Sequence, residues 1–191
     1  MMRFDSLWFK ARAVAWLVLG RKSAALQVFN VMLTRWPQDA YALASRAHLL
    51  TEAGQVQAAL ADSRRLLNLR GDQGGTWFNH GFMLEAAGQF EDAEAAFRRA
   101  TELSPKLDRA WYGLGLVLIR LQRYDDAVAA LKKNTELQPM SPYGWYQLAR
   151  VHVDRHQPDE AVKIIRHLKG FEPKVAAQLE RETGLLAGQV S

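Results

Sequence analysis

The sequence repeats with a period of 34 residues, and this repeat constrains the fold more than any other feature. Trp77, Trp111 and Trp145 recur at that spacing. Alanines and prolines recur with the same period, at Ala25, Ala59, Ala93, Ala127 and Ala161 and at Pro37, Pro105, Pro139 and Pro173. Counted from Ser6, the period gives five blocks: 6–39, 40–73, 74–107, 108–141 and 142–175. Because a period of this length is typical of proteins in which each repeat packs on the next, we expect residues 1–191 to form one domain.

Each block has the pattern of two helices. In block 108–141 the apolar residues follow one another at helical spacing, and the pattern is interrupted near Gln122. Gly20, Gly54 and Gly88 stand at the corresponding interruption in the first three blocks, where a residue in the left-handed conformation would end the first helix. The recurring prolines stop the second helix. The sequence therefore predicts an all-α protein made of helix pairs.

Block 108–141 carries an almost complete copy of a known repeat motif. The run Trp111-x2-Leu114-Gly115-x2-Leu118, followed by Ala127, Leu131 and Pro139, resembles the tetratricopeptide repeat. The resemblance implies a right-handed superhelical solenoid of five helix pairs, with a concave groove lined mostly by the first helices. It also implies a role as a protein–protein interaction adaptor or scaffold. Residues 175–187 resemble a sixth first helix without a partner, and we expect them to cap the C-terminal end.

The sequence departs from the family pattern at four positions. His80 stands in place of the usual leucine and Asn134 in place of the usual alanine. Ser63 replaces a large apolar residue, and Gly71 replaces the proline that stops the second helix. We expect less precise packing in the second block without a change of fold.

Composition excludes several classes of protein. The chain has no cysteine, so disulfides, thiolate nucleophiles and cysteine metal sites are excluded. The most apolar stretch, 4–20, contains Asp5, Lys10 and Arg12, which is not the pattern of a membrane span or of a signal peptide. We therefore expect a cytoplasmic protein.

The histidines offer the strongest case for a metal or catalytic site, and it is a weak one. His152 and His156 are four residues apart, but Val153 stands where the zinc-protease signature has glutamate. We expect one of these histidines to be buried and the other exposed. No glycine-rich phosphate loop and no serine-elbow motif is present. The sequence predicts no enzyme activity, no metal and no cofactor.

The first helices carry aromatic and cationic residues on the face opposite the Trp-Leu-Gly positions. Large rings and forked guanidinium donors are typical of sites that anchor a peptide or a protein. We expect this face to line the groove and to bind a peptide or helix of a partner protein. The candidate residues are Tyr41, His48, Phe78, Phe82, Arg109, Tyr112, Leu116, Arg120, Tyr143, Tyr146 and Arg150.

The second helices carry basic pairs, which raise nucleic-acid binding as an alternative. Arg64-Arg65, Arg98-Arg99 and Lys132-Lys133 recur with the period, and a nucleic-acid backbone would follow such a stripe. Cations near helix C-termini also complement the helix dipole, and Glu102 and Glu136 lie three residues beyond Arg99 and Lys133. The second explanation is the stronger, so nucleic acid is a disfavoured partner.

The first block differs from the others in charge and in its apolar residues. Residues 1–39 hold six Lys and Arg against two Asp, and three of the six tryptophans. Apolar residues stand where other blocks place polar groove residues, at Leu7, Val14, Leu17 and Val18. We expect this face to be covered, either by a second copy of the chain in a homo-oligomer or by the partner. Docking on an anionic membrane surface is a third, disfavoured option.

Overall fold

The computed structural model describes residues 2–186 and 188. Every secondary-structure element in this part of the chain is an α-helix, which confirms the all-α class. The helices fall two to each predicted block, followed by one more. They are α1 (Met2–Val18), α2 (Lys22–Arg35), α3 (Ala40–Glu52), α4 (Val56–Arg70), α5 (Gly74–Ala86), α6 (Phe90–Leu103), α7 (Asp108–Arg120), α8 (Tyr124–Leu137), α9 (Pro142–Asp154), α10 (Pro158–Lys169) and α11 (Pro173–Thr183).

The chain divides into two compact units, Met1–Gln89 and Phe90–Ser191. In the first unit, α1 to α4 each pack on the helix that follows. In the second unit, α6 to α10 do the same, and α11 packs on both α10 and α9. The boundary falls inside the predicted block 74–107, so α5 and α6 belong to different units. A single domain over residues 1–191 stays a prediction.

The same turn joins the helices of each block. Five residues at intervals of 34 have positive φ: Gly20 (69°), Gly54 (74°), Gly88 (73°), Gln122 (58°) and His156 (56°). The backbone N–H that follows donates to a carbonyl five residues back, as from Gln55 to Leu50 at 2.8 Å. This bond satisfies a carbonyl that the helix end would otherwise leave unpaired. The glycine prediction is confirmed in the first three blocks, and the last two adopt the same turn without glycine.

Small residues let neighbouring helices approach closely. A Cβ atom added at Gly115 on α7 would lie 2.7 Å from the Leu131 side chain on α8. One added at Gly113 would lie 2.8 Å from the Phe97 ring on α6. Each space left by a missing side chain is therefore filled by a large buried residue of a neighbouring helix.

The recurring tryptophans are half-buried. Each indole Nε1 donates a hydrogen bond to a carbonyl six residues back. Trp77 bonds Gly71 at 2.8 Å, and Trp111 bonds Pro105 at 2.9 Å. The same bond joins Trp145 to Pro139 at 2.8 Å. These tryptophans therefore fix the loops that enter α5, α7 and α9, and the Gly71 carbonyl accepts this bond as the proline carbonyls do.

The last helix lies earlier in the sequence than the predicted segment 175–187. It begins at Pro173, because proline fits the first position of a helix, where no backbone donor is required. It ends at Thr183, because Gly184 adopts a left-handed φ of 72° that does not continue a helix. Residue 187 of the predicted segment lies outside the described residues.

Candidate functional site

The predicted groove residues lie on four first helices and are all exposed or half-buried. The helices α3 and α5 belong to the first unit, and α7 and α9 to the second. The structure brings six of these residues to two hollows, one within each unit. The lining of each hollow also includes residues that the sequence did not single out.

The hollow of the first unit has a volume of about 330 Å³. Three predicted residues, Tyr41, His48 and Phe82, lie around it. The Tyr41 ring packs edge-on against buried Phe29, with ring centres 6.0 Å apart, and His48 Nε2 lies 3.9 Å from a Glu52 oxygen. The complete lining is Tyr41, Ala44, Ser45, His48, Asn79, Phe82 and Met83.

The hollow of the second unit has a volume of about 300 Å³ and lies between α7, α9 and α11. Tyr112, Tyr143 and Tyr146, all predicted, surround it. Tyr143 is 70% exposed, so most of its ring is available for contact. No charged side chain belongs to the lining found in the described residues, which is Tyr112, Pro142, Tyr143, Tyr146, Gln147, Val175 and Gln178. We call this space the tyrosine hollow.

A cluster of polar groups lies beside the tyrosine hollow. The Tyr146 hydroxyl donates to Glu182 Oε2 at 2.5 Å, and Arg150 Nη1 donates to the same oxygen at 3.0 Å. Gln178 Nε2 donates to Glu182 Oε1 at 2.8 Å. The bond to Glu182 raises the pKa of Tyr146, and the bond from Tyr146 lowers the pKa of Glu182. Arg150, predicted as an anchor for a partner, therefore holds a carboxylate of its own chain.

The sequence did not predict Glu182 as a member of this cluster. It lies on α11, which the repeat pattern treats only as a cap. A weak signal was available, because Gln178 and Glu182 are four residues apart and so share one face of a helix.

The remaining predicted groove residues line neither hollow. They are Arg150, which lies beside the tyrosine hollow, and Phe78, Arg109, Leu116 and Arg120. Leu116 is half-buried, whereas Arg109 and Arg120 are exposed at opposite ends of α7. Being on a first helix therefore does not by itself place a residue at a hollow.

The outward side of α1 is apolar. Leu7, Val14 and Val18 are exposed as predicted, with Val18 the most exposed at 82%. Helical spacing places four more exposed apolar residues on the same side, namely Trp8, Ala11, Ala15 and Leu19. We call these seven residues the α1 face.

Leu17 is not part of the α1 face. It packs against the buried cluster around Phe29 and Met32. Leu17 is therefore only partly exposed, and its predicted role in self-association stays a prediction. Its side chain is rotated by about 100° from that of Val18 around the helix, which turns it toward the core.

Several cations of the basic pairs on the second helices bind carboxylates of the same chain. Arg99 meets Glu102 at 2.9 Å and Lys133 meets Glu136 at 2.8 Å, as predicted. Arg98 meets Glu94 at 2.7 Å. These three cations are therefore paired within the chain, which favours a structural role for them over nucleic-acid binding.

The two neighbouring histidines occupy different environments. His152 is buried, and its Nδ1 lies 2.9 Å from Gln157 Oε1, whereas His156 is exposed in the left-handed turn. In the part of the chain that the structure describes, no group of three or more His, Cys, Asp or Glu could hold a metal ion. None of the described helices combines the length and the apolar character that crossing a membrane requires.

Helices packed each on the next within both units, with one turn geometry repeated every 34 residues, define a helical-repeat protein. Residues 84–142 match the family model described as Tetratricopeptide repeat. The family model thus matches the part of the chain in which the sequence pattern is most complete. No curated protein matches the chain.

Several solved structures share the fold over most of their length. MamA from Desulfovibrio magneticus RS-1 has a TM-score of 0.78 and 20% identity, covering 93% of this chain and 96% of that one. A thermophilic tetratricopeptide-repeat protein of Thermus thermophilus has a TM-score of 0.70 and 24% identity, covering 95% and 100%. YrrB, described as having an unusual peptide-binding site, has a TM-score of 0.74 and 16% identity, covering 91% and 90%. These similarities concern the fold.

Proposed function

We propose that the chain is a non-enzymatic interaction scaffold of the cytoplasm that binds an extended peptide or a helix of a partner protein in the tyrosine hollow. The observation that carries the proposal is the convergence of Tyr112, Tyr143 and Tyr146 on one open space of about 300 Å³. This function needs no cofactor, because reversible binding of a peptide requires only contacts between the peptide and the protein and the exclusion of water from them.

The chemistry of the tyrosine hollow suits a peptide. Tyrosine rings offer a large contact area and lose little side-chain entropy when they are fixed. The carboxamides of Gln147 and Gln178 can donate to and accept from a peptide backbone. Pro142 and Val175 add apolar surface between these polar groups. The lining thus combines apolar contact with a few polar groups that fix orientation, as binding sites commonly do.

The comparisons support an interaction role. Tetratricopeptide repeats are repeat units that build extended surfaces for binding. YrrB, which shares the fold, is described as a protein with a peptide-binding site. The hollow of the first unit, with Tyr41 and Phe82 in its lining, offers a second surface of similar composition.

Selection from a library of random peptides tests the proposal. The intact chain should retain a set of peptides, and Tyr143→Ser should weaken their binding by about tenfold or more, as loss of an aromatic anchor does. Met140→Ser is a matched control, because Met140 is 69% exposed, lies three residues away and does not line the hollow.

The control should bind the selected peptides as the unmodified chain does. Circular dichroism should show the same helicity for both variants, because both side chains are exposed. Retention of no peptide, or equal weakening by the two substitutions, would contradict the proposed site.

Self-assembly is a second candidate function, favoured by the α1 face. A second copy is its best occupant, because Ala11 and Ala15 lie along the middle of the face and let an identical helix approach closely. Two cations of the block are already paired, Lys10 with Asp39 at 2.8 Å and Lys22 with Glu52 at 3.0 Å. That pairing lowers the attraction for an anionic membrane.

A further inference from the structure

The chain contains a carboxylate-binding site whose occupant is its own Glu182. Three donors converge on the carboxylate: the Tyr146 hydroxyl at 2.5 Å, Arg150 Nη1 at 3.0 Å and Gln178 Nε2 at 2.8 Å. Both carboxylate oxygens accept a hydrogen bond. A guanidinium and neutral donors around one carboxylate form a strong arrangement for binding that group.

This site is continuous with the tyrosine hollow. Tyr146 and Gln178 both line the hollow and both donate to Glu182. The hollow has no charged residue in its described lining, so Arg150 supplies the positive charge beside it. An acidic side chain on a peptide in the hollow would therefore meet the same donors that Glu182 occupies.

The position of Glu182 makes it easy to displace. It is the second-last residue of α11, and the helix ends one residue later. Its side chain is 33% exposed, so water can solvate the carboxylate as it leaves. Exposed ion pairs contribute little to stability, and helix ends open at low cost.

Glu94 shows the contrasting case. It lies well inside its helix α6, its side chain is only 12% exposed, and Arg98 and Arg123 both bind it at 2.7 Å. A buried carboxylate held by two guanidinium groups is costly to remove. Of the two carboxylates, that of Glu182 is the one that is accessible to solvent and lies beside a hollow.

We propose that the tyrosine hollow selects peptides bearing an Asp or Glu side chain, which displaces Glu182 and pairs with Arg150 and Tyr146. This inference rests on the proposed function and specifies the ligand for it. Glu182 then acts as an internal competitor, so the free chain binds acidic peptides more weakly than it would without that carboxylate.

The test uses peptides selected from the random library and their amide counterparts, in which Asp and Glu become Asn and Gln. The unmodified chain should bind the acidic form about tenfold more tightly than the amide form. Glu182→Gln should strengthen binding of the acidic form by about tenfold, because the competitor loses its charge. Arg150→Gln should remove the preference for the acidic form.

Glu180→Gln is the matched control. Glu180 lies on the same helix and pairs with Lys169 at 2.7 Å, outside the cluster around Glu182. The control therefore removes the same charge from α11 without changing that cluster. It should leave the affinity for the acidic peptides unchanged. The amide peptides test the inference without altering the protein, so a variant that unfolds α11 does not weaken the experiment.

The outcomes separate the inference from the function on which it rests. Peptides that bind the tyrosine hollow with no difference between acidic and amide forms would overturn the inference alone. The same holds if Glu182→Gln binds acidic peptides no more tightly than Glu180→Gln does. Failure of every variant to retain any peptide would overturn the proposed function and the inference together.

Discussion

Residues that break the family pattern are matched by partners elsewhere in the chain. Ser63 and His80 are both buried, and Ser63 Oγ lies 2.9 Å from His80 Nδ1. Asn134 donates to the Asp108 carbonyl at 2.9 Å, and a Cβ at Gly144 would lie 2.2 Å from Asn134 Oδ1. The sequence showed each departure singly and suggested looser packing. It could not show the pairing, because each pair joins residues on different helices.

The left-handed turns allow a direct test of residue choice. Gln122→Gly should raise the free energy of unfolding by about 1 kcal/mol, because glycine adopts a φ of 58° without the strain of a Cβ atom. Gln138→Gly is the matched control, since Gln138 is also exposed but has a φ of −133°. Denaturant unfolding measures both variants. A Gln122→Gly variant no more stable than Gln138→Gly would show that the turn carries no such strain.

At the scale of helices, periodicity predicted which segments are helical, but some ends depend on local detail. Asp39 is an N-cap as expected from its residue type, and its side chain accepts a hydrogen bond from Ala42 N–H at 2.9 Å. Asp108, with the same side chain, is instead the first residue of α7, and Leu107 occupies the N-cap position. The entering loop sets this one-residue difference, and composition does not encode it.

The α1 face yields a prediction at the same scale. Val14→Glu together with Val18→Lys should convert a concentration-dependent oligomer into a monomer, because the pair places charges on the exposed apolar side. The two new residues are four apart with the acid first, which supports the helix and keeps the net charge unchanged. Leu17 is unsuitable for this test because it packs on the core. Sedimentation velocity at rising concentration measures the mass.

Val31→Glu on α2 is the control, since Val31 is 46% exposed and lies outside the α1 face. It should leave the association unchanged. If the unmodified chain sediments as a monomer over the whole concentration range, the α1 face is not a self-association surface.

At the scale of the whole molecule, the period of 34 residues was enough to predict a protein of helical repeats. It also placed all three tyrosines of the tyrosine hollow among the candidate residues. It did not predict Val175, Gln178 or Glu182, because their contribution depends on how α11 packs against α9. How two helices pack depends on the complementary shapes of their side chains, whereas the sequence period indicates only which residues face inward.

The central claim is that a peptide binds in the tyrosine hollow, and amide chemical shifts of the isotope-labelled chain test it most directly. On titration with a selected acidic peptide, the account predicts that the largest shift changes occur at Tyr112, Tyr143, Tyr146 and Gln178, with a further change at Glu182 as its carboxylate is displaced. Shift changes confined to α8 and α10, or to α1, with none around the hollow, would contradict the account.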